Sequence, residues 1–509
     1  MSIPENKKGG EEMIRQSGIL LPVFSLPSPW AIGDIGVRAR NFVDWLAAAG
    51  QNCWQMLPLT CTKEILGNSP YDSISAFACS PLLISIEDLA EEELISNKEI
   101  SSLNRVSSGR VDYSAAKKIK MPLLKKAFQR FMSRTNTDPL YRFWEGQAWW
   151  LDDFSLFSAI SCRMGDDRWN TWPSSLKIRD KVALDTVRSE EKDHILFTVF
   201  IQYEAFTQIQ RLRKHSLDRG IQLIGDLPIY VSYESADVWS HPEMFQLDRD
   251  LTPKAVAGVP PDYFSSTGQR WGNPLYRWDY AKGMEFHWWL KRIAHSLQLY
   301  DMIRLDHFRG FLEYWAIPYT EKTAIYGRWE EGPGDSFFSA LEKNFPSMPF
   351  LAENLGIITP DITRAMKKYD LPGMLVLLFA FDESMPRNPY ILHNHEPRNI
   401  VYTGTHDNNT VRGWFDDEGS PQDKERVSRY MNMPFTRDNA ATVLTRMALM
   451  SVAERAVIPL QDYLNIGGEG RINKPSTLEG NWQWMADEKA LTEDLASSLH
   501  SLMKTYGRL

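Results

Sequence analysis

Eight short runs of consecutive apolar residues recur along the chain, each giving way to a polar cluster. They are GILLPVF (18–24), CWQMLPL (53–59), QLIGDLPIYV (222–231), DMIRLDHF (301–308), PFLAENL (349–355), GMLVLLFAF (373–381), IVYTGTH (400–406) and AVIPLQDYL (456–464). Runs of this length without strict alternation predict strands buried on both faces, the habit of parallel sheets. Helical patterns lie between most of them. FVDWLAAAG (42–50) is amphipathic, and its Gly50 suits the left-handed residue that closes a helix. SADVWSHPEMF, MEFHWWLKRIAHSLQ, GDSFFSALEKNF and TPDITRAMKKY predict further helices, the last with Thr359 as N-cap ahead of Pro360 and Asp361. Strands alternating with helices in this number predict an α/β fold, a (β/α)8 TIM barrel.

One interval is too long for a barrel loop. Between the second and third strands, MPLLKKAFQRFM, YRFWEGQAWWLDDFSLFSAI and HILFTVFIQYEAFTQIQRLRK all have helical spacing. Residues 85–200 are therefore expected to form a helical subdomain inserted after the second strand. Residues 251–280, rich in Pro, Gly, Tyr and Trp, are expected to be a long ordered aromatic loop. Nothing resembles a linker to a separate C-terminal β domain, so residues 1–509 are read as one catalytic barrel domain with insertions.

Composition narrows the partners. A formal charge of −8 argues against a nucleic-acid backbone. The 18 Trp residues fit a carbohydrate site, whose aromatic faces stack on sugar rings, and fit a large aromatic core equally well. Four cysteines without CxxC spacing or a His cluster suit a reducing compartment and predict no metal site. The polar start MSIPENKKGGEEMIRQ has no apolar signal region, and GMLVLLFAF is too short to span a bilayer. The expectation is a soluble cytoplasmic protein.

Several predicted strands end in acids: Asp226 in GDLP, Asp306 in RLDHF, Glu353 in AENLG, and Asp407 just after GTH. A single buried acid at a strand end is usually a structural acceptor. Several converging on one barrel mouth repel one another, a cost that function must justify. Glycosidic cleavage needs two carboxyl groups of unequal pKa, one protonated to donate and one ionised to attack. Arg304 and Asp306 lie two apart, so a strand places both on one side and the guanidinium keeps the carboxylate charged. His307 points the other way on an ideal strand, unless the strand ends there. Glu353 follows an apolar lead-in with no adjacent cation, which favours a raised pKa and a general acid.

RLDHFRG, FLAENLG and YTGTHDNNT, in that order, resemble the signature regions of the 4-α-glucanotransferases (amylomaltases, or disproportionating enzymes) of the α-amylase superfamily. SGILLPVFSLPSPWAIGDIG, WQMLPL, GNSPYDSISAFA, IGDLPIYV, GVPPDYFSSTGQRWGNPLY, YWAIP and GRINKPST extend the resemblance in family order. It implies a retaining double displacement that moves α-1,4-glucan segments between maltooligosaccharides, glycogen or amylose, with no metal or cofactor. Asp306 would be the nucleophile, Glu353 the acid and base, and Asp407 the stabiliser of the distorted sugar. Arg304, His307 and His406 would donate hydrogen bonds in the donor subsite, supported by Asp226; Asn473, in GRINKPST, would be a substrate-contacting position, with Asp382 a weaker match. Ser69, Tyr71 and Trp271 would be further substrate contacts. Tyr263 and Phe264, on a stretch stiffened by Pro260 and Pro261, would cover the acceptor side and exclude water, favouring transfer over hydrolysis.

The sequence departs from the family pattern at Leu66, where many members carry a Tyr linked to remote glucan binding. PVFSLPSPWAIG also replaces the usual His-containing loop, and PST replaces PGT. None of these touches the three acids. An α-1,4-glucan hydrolase of the same superfamily and a catalytically inert glucan-binding barrel are the competing readings. The oligomeric state, monomer or dimer, stays open.

Overall fold

The computed structural model describes residues 15–106, 109–261, 265–356 and 358–509. Its strands are β1 (Gln16–Leu20), β2 (Cys53–Gln55), β3 (Gln222–Leu227), β4 (Ala255–Val259), β5 (Gln269–Pro274), β6 (Met302–Leu305), β7 (Glu313–Pro318), β8 (Arg328–Glu331), β9 (Phe350–Ala352), β10 (Gly373–Val376), β11 (Asn399–Tyr402) and β12 (Arg455–Pro459). Eight of these form one parallel sheet in the order β10-β11-β12-β1-β2-β3-β6-β9. Each overlaps one of the eight apolar runs. The ends of the sheet meet where the Ala352 amide, at the end of β9, donates to the Pro372 carbonyl just before β10, at 2.9 Å. The result is a nearly closed (β/α)8 barrel.

The strands lack alternation because helices cover their outer face and side chains fill the inside. Every residue of β2, β9, β10 and β12 is buried. Packing is tight enough that a Cβ at Gly225 on β3 would lie 2.1 Å from the ring of Tyr300. Some predicted strands end early. GMLVLLFAF leaves the sheet at Val376 and turns through Leu377–Phe379, and AVIPLQDYL passes from strand to helix at Leu460. Gly50 is left-handed at φ 68°, closing the helix Val37–Ala48 as its spacing predicts. Thr359 does occupy an N-cap position, but its side chain makes no capping bond.

Between β2 and β3 the long helices Tyr113–Met132, Asp138–Met164 and Lys192–Asp218 appear where the spacing places them. The last of them returns the chain to β3. On the way its Gln202 and Gln208 amides pair with both backbone groups of Cys79 and Ser85, at 2.8–3.1 Å, as a neighbouring strand would.

The stretch 251–280 differs from the expected loop. It contains β4 and β5, which join β7 and β8 in a four-stranded antiparallel sheet of order β5-β4-β7-β8. AVAGV and RWGNP carry too much Gly and Pro to show a strand period. β4 pairs with β5 and also with β7, remote in sequence, whose Trp315 pairs with Gly258 on β4 and with Trp329 on β8. Tyr263 and Phe264 lie outside the described residues. Among the described residues no strand follows β12, and the helix Glu493–Thr505 packs its Ala496 and Leu499 near Trp45 and Ala49. No described helix is long and apolar enough to cross a membrane.

Candidate active site

The register of the barrel assembles the site. Asp226 on β3 lies opposite Arg304 on β6. Both side chains are buried, and Nη1 of Arg304 reaches both oxygens of Asp226 at 2.8 and 2.9 Å. The same nitrogen donates to Oδ1 of Asp306 at 2.9 Å, so the two-residue spacing does bring cation and acid together. Burial opposes charge on Arg304, but Asp226 and Asp306 beside it hold its pKa well above the ordinary value. One permanent cation thus serves two carboxylates. No described residue bonds Oδ2 of Asp306, and a quarter of that side chain is exposed, 25% against 4% for its arginine.

The next residues explain a polar cluster in an apolar neighbourhood. β6 ends at Leu305, and His307 takes a left-handed conformation, φ 46°. The turn aims the His307 amide at Oε2 of Glu353, 2.8 Å away, while the Leu355 amide reaches Oε1 at 3.0 Å. The backbones are also stitched together, Glu353 N–H to Leu305 O and Phe308 N–H to Glu353 O. Glu353 is nevertheless pushed up to about 8. Burial does most of this and the charge of Asp306 adds to it, against the pull of Arg304 and the two amides. The His307 imidazole, pushed down to about 4 chiefly by burial, stays neutral and rests edge-on against Trp271 at 4.9 Å.

The turn after β11 supplies the third acid. Asp407 accepts from Nδ2 of Asn473 at 2.7 Å through Oδ1, and its Oδ2 lies 3.4 Å from Nε2 of His406. Tyr71 links this side to the arginine. Burial, and then the charge of Asp226, raise its pKa far above 10, so its hydroxyl keeps its proton. That proton goes to Oδ2 of Asp226 at 2.7 Å, and Nε2 of His406 lies 2.8 Å from the same hydroxyl. With its one hydrogen spent, the hydroxyl must accept, which fixes the His406 proton on Nε2. The two rings also stack, 5.3 Å apart and 14° from parallel.

The described structure therefore joins Asp226, Arg304, Asp306, His307, Glu353, His406, Asp407, Asn473, Tyr71 and Trp271 in one contact network. Ser69 stands behind Tyr71, accepting its amide at 3.3 Å. Asp382 stands apart. Its exposed carboxylate bonds Ser384 and Asn388 in its own turn, and no bond ties it to the acids. Trp482, absent from the expected set, packs beside Tyr71 and His406 at 5.9 and 6.2 Å. Tyr390 was equally unsuspected; burial, with the charge of Glu353 behind it, raises its pKa to about 12. The NWQW motif gave the only signal for Trp482, and nothing in NPYI marks Tyr390.

A parallel barrel whose strand ends present a cation-held carboxylate beside a protonated one belongs to the barrel enzymes that act on glycosidic bonds. A family model described as 4-alpha-glucanotransferase matches residues 21–490. The 4-alpha-glucanotransferase of Aquifex aeolicus is 42% identical over 97% of this chain and all of its own length. That of Thermus thermophilus is 41% identical over 98% of this chain and 100% of its own. Among solved structures, the amylomaltase from Streptococcus agalactiae in complex with acarbose superposes with a TM-score of 0.93 at 36% identity, covering 97% of this chain and 99% of that one. The chain belongs to the 4-α-glucanotransferase family, enzymes that transfer segments of α-1,4-glucan.

Proposed function

We propose that this chain transfers α-1,4-glucan segments by a retaining double displacement. Glu353, protonated at neutral pH, donates to the leaving glycosidic oxygen while Oδ2 of Asp306 attacks the anomeric carbon. The glycosidic bond breaks as the bond to Asp306 forms, and the leaving chain departs with its proton. Glu353, now ionised, takes the proton of an acceptor 4-hydroxyl, whose oxygen displaces Asp306 and restores both carboxyls. Asp407 and His406 face the hydroxyls of the distorted ring. The observation that carries this reading is the split between the acids, Asp306 beside Arg304 with one oxygen unbonded and Glu353 held protonated by burial.

Maltooligosaccharides serve as donor and acceptor, and longer glucans such as amylose or glycogen extend the same cleft. The acarbose held by the Streptococcus agalactiae relative supports this substrate class. Free thiols at Cys53, Cys61, Cys79 and Cys162 suit a cytoplasmic setting.

Incubation with maltotriose tests the reading. Glucose plus a ladder of longer maltodextrins, with total reducing ends constant, is the expected result. Rising reducing ends with only shorter products would make the chain a hydrolase.

A further inference from the structure

Asp407 and Asn473 stand on separate loops, after β11 and after β12, and one guanidinium ties the two together. Arg471 donates from Nε to the Asn473 carbonyl at 2.8 Å and from Nη2 to the Asp407 carbonyl at 3.1 Å. Its Nη1 donates to Oε1 of Glu418 at 2.6 Å. All of its contacts with Asp407 and Asn473 are to main-chain oxygens, so the arginine fixes the two backbones without occupying the Asp407 carboxylate. Glu418 takes up the charge that would otherwise pull on that carboxylate.

Glu418 is itself held in an unusual element. Trp414–Glu418 is a single π-helical turn, a form often found at functional sites. Glycines bracket it. A Cβ at Gly413 would lie 2.2 Å from Oδ1 of Asn409 and 2.8 Å from the Cα of Gly468, and one at Gly419 would lie 2.9 Å from the Trp414 ring. Asn409, two residues after Asp407, donates to the same Oε1 of Glu418 at 3.3 Å. The π-turn, the Asp407 loop and the Asn473 loop therefore converge on Arg471.

We propose that Arg471 is a positioning residue for Asp407, set in place by Glu418. The Asn473 amide that grips Oδ1 of Asp407 owes its placement to the Arg471–carbonyl bond and to its own amide bond to the His406 carbonyl at 3.1 Å. Without Arg471 the two loops stay joined through Asn473, by its amide on the His406 carbonyl and its side chain on Asp407, and Asp407 loses part of its aim at the distorted sugar. The inference rests on Asp407 serving the transition state. Arg471 also lines an open polar cleft of about 570 Å³ with Arg110, Lys474 and Asn481. In Arg471→Met the side chain keeps most of its length, and water from that cleft can reach the carbonyls the guanidinium leaves.

The test measures maltotriose disproportionation, acarbose inhibition and thermal unfolding for Arg471→Met, Arg471→Lys and Glu418→Gln. A misplacement of this kind lowers kcat about 30- to 100-fold with KM within about threefold of wild type. Acarbose affinity falls in parallel with kcat, because a distorted-ring mimic needs the aligned acid. Arg471→Lys retains most of the loss, since a point ammonium cannot reach three acceptors, and Glu418→Gln shows a smaller loss of the same type. A kcat for Arg471→Met within threefold of wild type would overturn the proposal. So would a raised KM at unchanged kcat, which makes Arg471 a binding contact, or a loss explained by a large fall in the unfolding temperature. Asp407→Asn serves as the control. If that variant keeps full turnover, the role of Asp407 fails, whatever Arg471 does.

Discussion

The raised pKa of Glu353 makes the most searching prediction, because it ties rate and stability to one group. The ordinary value of 4.5 is raised to about 8, so at pH 7 about nine-tenths of the carboxyls carry the proton, and at pH 9 about one-tenth do. The rate kcat/KM for maltotriose therefore falls along an alkaline limb centred near pH 8, by roughly tenfold between pH 7 and 9. The same shift costs stability. Between pH 4.5 and about 8 the unfolded chain has lost a proton that the folded chain still holds, so stability falls as pH rises through that window. Glu353→Gln has nothing to titrate; its one oxygen can accept from only one of the His307 and Leu355 amides, a loss that is the same at every pH and so leaves the pH-dependent part of the comparison intact. Its stability relative to wild type should rise across the window by roughly 2–4 kcal/mol, discounted for the solvent exposure that the Glu353 side chain keeps at the mouth of the barrel. Urea unfolding of both proteins at pH 5 and pH 9 measures that gap, alongside a pH profile of kcat/KM. A gap that stays flat with pH, or a rate that holds to pH 9.5, would refute the assignment of Glu353 as a buried acid.

Other perturbations act on separate parts of the site. Asp306→Asn removes the nucleophile but no binding surface, so turnover falls at least about 10³-fold while glucan affinity in a pull-down on immobilised amylose is retained. Arg304→Met leaves the buried Asp226 carboxylate without its cation; the cost is about 3–5 kcal/mol in urea unfolding, and an unchanged midpoint would mean that Asp226 is neutral in the folded state. Gly225→Ala drives a Cβ into the Tyr300 ring and destabilises by about 1–3 kcal/mol. Because Asp226 follows immediately, activity should fall with it, which a rate measurement at low temperature separates from unfolding.

The barrel was legible because its strands are covered on both faces, so burial writes itself as uninterrupted runs such as MIRL and RAVIP. The four-stranded sheet was not, because its central pairing, β4 with β7, joins segments remote in sequence, and β4 and β5 are interrupted by Gly and Pro. The acids were legible for a chemical reason: a charged group inside an apolar run, as in RLDHF, has few structural excuses. What the sequence concealed was relational. Nothing local marks that Glu418 and Arg471 meet, that Trp482 packs beside Tyr71 and His406, or that His307 turns left-handed just after its amide meets Glu353. Asp382 is equally visible as an acid after an apolar run, and its carboxylate bonds within its own turn, to Ser384 and Asn388.

The left-handed turn at His307 is where these contributions meet. The His307 amide meets Glu353 where β6 ends; an extended residue there would then carry the chain onward in line with the strand. With φ at 46° the chain instead turns after that amide, and the imidazole lodges against Trp271. Such a conformation is strained for a residue with a side chain, by about 1–2 kcal/mol. The surroundings hold it. A Cβ at Gly310 would lie 3.0 Å from Cδ2 of the His307 ring and 2.7 Å from Ile229, so only glycine lets the following turn close over the histidine. The strain thus sits between the two reacting carboxyls. It sets their relative placement through backbone atoms, which shift less than a side chain does when a sugar ring enters.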